Sequence, residues 1–173
     1  MYKKLFSWLF ALGLLVAFLP LSAQTVARVE GQILGKRVRG SVQVLNNANQ
    51  TLQTYTTDFA TRQGFTIKTA AQSSVVLVFS NGATVNLGPE SELNIEQFMQ
   101  DEWGSAIDVA ALTEEPSSST TKLRLARGEL VGNVKKLHTQ QGSSFEVNTP
   151  VGAAGIRGTV FRVTFRVDPA DPR

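Results

Sequence analysis

The 173-residue chain has no cysteine and a single histidine, His138. No disulfide can staple it, no thiol can act as a nucleophile, and stability has to come from packing alone. One imidazole leaves only carboxylates to complete a transition-metal site, and neither an H-E-x-x-H nor an EF-hand spacing occurs. A serine triad would need His138 as base to Ser143, Ser144 or a more distant serine, yet the G-x-S-x-G elbow is missing. In KKLHTQQG the plainer reading of His138 is a solvent-exposed loop residue. No metal or organic cofactor is expected.

Charge of one sign is also scarce. The formal net charge is +3, and Lys3 and Lys4 are the only charges ahead of Arg28, so residues 24–173 carry only +1. Basic residues such as Arg37, Lys122 and Arg157 are scattered among acids with few aromatics between them, which argues against a nucleic-acid partner. Long apolar runs are limited to one, LFSWLFALGLLVAFLPL, which follows the two lysines and stops just before Ser22-Ala23-Gln24. Basic start, apolar middle and small-residue cut site read as a secretory signal peptide over residues 1–23. The run also approaches the ~18 residues that can cross a bilayer, so an uncleaved inner-membrane anchor is the alternative, and the only route to a membrane. Either way residues 24–173 are exported, to the periplasm or beyond. With no cysteine after the run, no lipid anchor is expected.

What is present is period-two alternation, with almost no helical period. ARVEGQILG, SVQVL, FTIKT, SVVLVFS, ATVNLG, ELNIEQF, AIDVAAL, SFEVNT and TVFRVTFRV all read as strands, and KLRLARGELVGNVKKL reads as two strands pivoting at Arg127-Gly128. About ten short strands at roughly 8 to 12-residue spacing predict an all-β domain: an antiparallel double-sheet sandwich or jelly roll, or a short strand-stacked solenoid. Asn81-Gly82 predicts a hairpin closed by a two-residue type I′ turn. NNANQTLQTYTTDFATRQG reads as a polar interval and TEEPSSSTT, residues 113–121, as a solvated loop. The regular strand TVFRVTFRV wants a partner on both sides, so the chain is expected to be truncated after it or this edge to be covered by another molecule, unless its arginines guard a terminal edge.

Exported β-proteins include glycoside hydrolases, which need only two carboxyl groups on one face. Glu90 with Glu92, Asp101 with Glu102, and Glu129 with Glu146 are the candidate pairs, and Trp103 beside Asp101 could stack on a sugar ring. Acids in the turn PESEL are solvated by default, however, and DEWG is more simply a loop with a half-buried tryptophan.

Residues 148–163, NTPVGAAGIRGTVFRV, place Gly152, Gly155 and Gly158 ahead of an alternating strand. The spacing matches neither G-x-G-x-x-G nor a Walker loop, and no helix follows to hold phosphate. The physical reading is a corner: Pro150 ends the strand SFEVNT, small residues let backbone pass close to backbone, and Arg157 binds carbonyls or a carboxylate such as Glu129 or Glu146.

VNTPVGAAGIRGTVFRV closely resembles the signature of the FecR domain, T-P-x-G-x-x-x-x-R-G-T-x-F, at Thr149, Pro150, Gly152, Arg157, Gly158, Thr159 and Phe161. VVLVFSNGATVNLGPESELNI resembles that family's hairpin and "L-x-P-x-S-x-L" corner, and LRLARGELVGNV its "L-x-L-x-x-G-x-L-x-x-x-V" segment. The similarity covers roughly residues 66–166 of a domain taken as 24–173, with VARVEGQILG as an opening strand. The resemblance implies an all-β extracytoplasmic domain; founding members of the family relay the state of an outer-membrane receptor to a cytoplasmic sigma factor. Only Met1 to Lys4 precede the apolar run here, too little to hold a sigma factor, so the chain looks like the stand-alone exported members. The family normally continues with a further strand, which favours truncation. The expected function is a non-catalytic interaction, scaffold or signalling module of the cell envelope with a protein partner. The alternatives are a glycan or peptidoglycan-binding module using Trp103 and Asp101, and an anchored signalling subunit.

Overall fold

Valine, isoleucine, leucine and phenylalanine at every second position fit a pleated surface with one buried face, and the chain uses them to build strands almost throughout. A computed structural model describes residues 27–102 and 111–166. The apolar segment 1–23, Trp103, most of AIDVAAL and the last residues lie outside them. The strands are β1 (Arg28–Glu30), β2 (Ile33–Arg39), β3 (Val42–Leu45), β4 (Thr51–Tyr55) and β5 (Phe59–Thr61). They continue with β6 (Thr66–Thr69), β7 (Ser74–Phe79), β8 (Thr84–Leu87) and β9 (Glu92–Asp101). The last four are β10 (Ser119–Asn133), β11 (Ser144–Thr149), β12 (Gly152–Ile156) and β13 (Val160–Phe165).

These strands form one hydrogen-bonded network folded into two leaves. The first leaf runs β4-β3-β6-β9-β10-β11-β12, with β1 also paired to β9; the second runs β5-β2-β7-β8-β10-β13. The fold is thus the expected all-β double sheet. Pairing is antiparallel except between β10 and β11, which run parallel with Thr120 opposite Ser144 and Arg124 opposite Asn148. Between the leaves lies a core of fully buried Ile33, Ile67, Leu77, Leu87, Leu93 and Leu123. An edge-on aromatic run threads it: Phe79 meets Phe98 at 5.1 Å and Phe145 at 6.4 Å, and Phe145 meets Phe161 at 5.9 Å.

β10 belongs to both leaves. Its first half pairs with β9, its second half with β8 and β13, and a bulge between Leu125 and Arg127 precedes Gly128 at φ +98°. The sequence reading of two strands pivoting at Arg127-Gly128 is therefore one strand bent there. The β8–β9 corner crosses the same spot. Ser91, buried, accepts the Glu129 N–H at 3.0 Å and donates to the Pro89 carbonyl at 3.1 Å. Thr69 Oγ1 accepts the Ser91 N–H at 3.0 Å and donates to the Gly88 carbonyl at 2.6 Å. Any Cβ on Gly128 would run into Ser91, with its Cα only 2.5 Å away.

Several sequence expectations are corrected. Asn81-Gly82 does make a hairpin, but the loop is Ser80-Asn81-Gly82: Gly82 N–H bonds to the Phe79 carbonyl, Phe79 N–H to the Ala83 carbonyl, and only Gly82 has positive φ. A type I turn followed by a left-handed residue replaces the type I′ turn, because Asn81 is used elsewhere. It is buried, its Oδ1 accepts the Ala83 N–H and its Nδ2 donates to Ser119 Oγ. The polar interval 46–64 holds β4 and β5, edge strands on the two leaves whose exposed faces hide the alternation.

TEEPSSSTT is not a solvated loop. Glu115, Ser118, Ser119 and Thr121 are buried, and Ser119 onward is already β10. The Glu115 carboxylate accepts Ser119 Oγ–H and the His138 N–H, both at 2.6 Å. His138 is accordingly half-buried over Glu115, with Nδ1 3.9 Å from the carboxylate, and is not a free loop side chain.

Gly128→Ala should cost about 2–5 kcal/mol in urea unfolding, combining a disfavoured positive φ with overpacking against Ser91. Glu115→Ala should cost about 2–4 kcal/mol by orphaning buried donors, whereas Glu114→Ala, next to it but exposed, should stay within about 0.5 kcal/mol.

Candidate functional site at the rim formed by β11 to β13

Thr149 and Gly152 pair across a two-residue turn, Pro150-Val151, in which neither residue has positive φ. Proline forbids the primed turns that suit a two-residue hairpin. Thr149 compensates with its side chain: Oγ1 donates to the Gly152 carbonyl at 3.0 Å and accepts the Val151 N–H at 3.4 Å. The glycine- and alanine-rich stretch that follows was expected to be a corner. It is instead a strand, β12, registered on β11 with Val147 opposite Ala154. From Gly152 to Gly155 it carries nothing larger than a methyl group and is exposed, while Ile156 turns into the core.

The real bend is Arg157-Gly158-Thr159, which carries the chain from the edge of one leaf to the edge of the other. Gly158 sits at φ +100°, and a Cβ there would lie 2.8 Å from Lys136 Cα. The Thr159 carbonyl accepts the Val134 N–H at 3.0 Å, tying the bend to the chain leaving β10. Phe161 then lies over Gly132, where any Cβ would meet its ring, and closes the aromatic run against Phe145.

Arg157 does not lock this bend. It is exposed and makes no salt bridge among the described residues; Glu129 is taken by Arg162 at 3.6 Å, and Glu146 lies on the other leaf. Among the described residues β12 pairs only with β11 and β13 only with β10, so both are leaf edges. Val151 at 81% and Val160 at 68% exposure stand at the two ends of the rim.

The remaining candidates are not brought together in the pairs that the sequence suggested. Glu92 is engaged by Lys68 at 3.2 Å and Arg127 at 3.7 Å, and Asp101 by Arg28 at 3.4 Å. Glu90 and Glu129 line one cavity of about 520 Å³, shared with Arg127 and Arg166. Glu129 and Glu146 sit on opposite leaves. Trp103 lies outside the described residues. No cluster of three or more metal-ligating side chains occurs among the described residues, nor any helix long and apolar enough to cross a membrane. The buried Glu115–Ser119–Asn81 unit was not legible as a site; its serine is fully buried and bonded on both sides, so it acts as a strut.

The motif residues thus divide by what they touch. Gly158→Ala should lower stability by about 2–4 kcal/mol, and Arg157→Ala should leave the melting curve within about 0.5 kcal/mol of the parent; thermal unfolding of both variants checks this.

No curated protein and no solved structure matches the chain. A family model does: "FecR protein" matches residues 65–171. That span starts at the approach to β6, takes in the leaf-switching strand β10, and ends beyond β13, so it contains the corner at Ser91, the bend at Gly158 and the whole exposed rim. The chain belongs to the FecR family, a family known in cell-envelope signalling.

Proposed function

We propose that the protein is an exported, non-catalytic interaction module of the cell envelope whose protein partner adds an extended segment to the rim at β12. The observation that carries this is the edge strand Gly152–Ile156: exposed over 152–155, uncharged, free of proline and without side chains that would obstruct a neighbour. Proteins usually guard such an edge with lysine, proline or a bulge. An edge left this smooth can accept another strand, with backbone hydrogen bonds giving affinity and flanking side chains giving choice. Arg157, Val151 and Val160 supply those flanks: a cation at the bend and an exposed aliphatic group at either end. The non-catalytic reading is supported by the ion pairs that occupy Glu92, Asp101 and Glu129. Export is supported by the signal-like residues 1–23, and family membership favours the envelope.

A photo-crosslinking residue at Ala154, in protein expressed with its own N-terminal segment in a diderm bacterium, tests the reading. The expected result is an envelope-fraction product beginning at Gln24 and one discrete adduct to an envelope protein, absent when the same residue replaces exposed Gln53 on β4. Equal adducts at both positions, or a product retained in the cytoplasm, would overturn it.

A further inference from the structure

A second surface lies away from the rim, on the outward face of the other leaf. There a cavity of about 560 Å³ opens over Val76 and Val78, with Thr84 and Asn133 along its floor and Lys36, Arg37 and Lys135 around it. Two features show how its cations are held. β2 carries an irregularity in its pairing with β7 between Lys36 and Arg39, and inside it Arg37 adopts φ +51°, an uncommon conformation for a residue with a Cβ. Asp58 supports that bulge: Oδ1 accepts the Arg37 N–H at 3.1 Å while Oδ2 pairs with Lys36 Nζ at 3.1 Å. Bulges commonly re-aim a side chain, and strained backbone clusters where it serves a purpose. On the opposite side Lys135, half-buried, lays its stem over the Gly82 turn, where a Cβ would sit 3.0 Å from Lys135 Cγ. Among the described residues Asp58 is the only carboxylate lining the cavity, and it is already spent on Lys36 and the bulge. Arg37 and Lys135 make no salt bridge among the described residues.

We infer that this cavity binds an acidic, aliphatic peptide segment in extended form. Charge complementarity asks for carboxylates, and the apolar floor, continued by 39%-exposed Leu34 opposite Val78, asks for aliphatic side chains between them. Lys36 and Arg37 belong to β2 and Lys135 follows β10, three strand spacings away, which is about 14 Å at the backbone. A simple anion covers only part of that separation. An extended peptide rises ~3.3 Å per residue, so acids about four positions apart reach both. Among the described residues the lining offers no aromatic ring on which a sugar could stack. The inference stands apart from the strand-addition reading, since β12 lies on the other leaf.

The test is fluorescence anisotropy with a labelled octapeptide, aspartate at positions 1 and 5, valine at 3 and 7 and serine between, so that acids and aliphatic groups share one face, against the full chain. Saturable binding is expected, weakened at least tenfold by the double variant R37Q/K135Q and by 1 M salt, where the screening length falls to ~3 Å. Arg39→Gln, an exposed cation outside the cavity, should not change it, nor should Ala154→Lys at the rim. Unchanged melting temperature in R37Q/K135Q keeps the loss attributable to charge. Equal binding of the double variant, or of a peptide with asparagine for every aspartate, would overturn the inference. So would tighter binding of polygalacturonate at the same residues, which would make the cavity a site for an anionic glycan.

Discussion

The contact on which the two leaves depend is the crossing of two backbones at Gly128 and Ser91. β10 changes leaf there, and so does the β8–β9 corner, which means that four segments share one small volume. Backbones that leave a sheet abandon their ladder partners, and each orphaned N–H or C=O in a dry corner costs as much as a lost hydrogen bond. Ser91 and Thr69 take up the debt with short side chains: between them they bind Gly88, Pro89, Ser91 and Glu129. No side chain at position 128 would fit. The long register of β10 on β9 in one direction and on β8 and β13 in the other is set from this point.

With the middle fixed, what varies is the edges. β4 and β5 close one side of the sandwich with threonines, glutamine and an aromatic stack of Tyr55 on Phe59 at 4.5 Å. The other side ends in β12 and β13, and the two edges are guarded differently. β13 carries Arg162, paired with Glu129, on its outer face, which is ordinary edge protection. Among the described residues β12 has no such guard, so of two adjacent edges one is protected by its own charges and the next is left bare.

The fold class was legible because alternation survives wherever one face is buried: SVVLVFS, ATVNLG and SFEVNT each became the strand they read as. It failed where both faces are wet, as in β4, or where side chains are too small to alternate, as in GAAGI. Asn81-Gly82 marked the hairpin, but turn type was decided by a tertiary bond, Asn81 to Ser119, that no local rule contains. Glu115 was hidden in a polar run because one partner, His138, is brought in by the fold, and the other, Ser119, is buried only once β10 is laid down. The cavity around Arg37 was equally hidden: its cations come from β2 and from the end of β10, far apart in the chain, and scattered basic residues look unremarkable until the strands are laid side by side.

The bend at Gly158 connects these surfaces. Gly158 rests against the backbone of Lys135 and Lys136, within 3.2 Å of the Lys135 carbonyl if a Cβ were added, and Thr159 holds Val134 by a hydrogen bond. The same few residues that turn the chain from β12 to β13 therefore also fix where Lys135 leaves β10. Packed interiors transmit displacement because they have few ways to yield. The glycine of the motif is in this sense not a site but a strut: its lack of a side chain is what lets the bend sit directly on the backbone of Lys135 and Lys136.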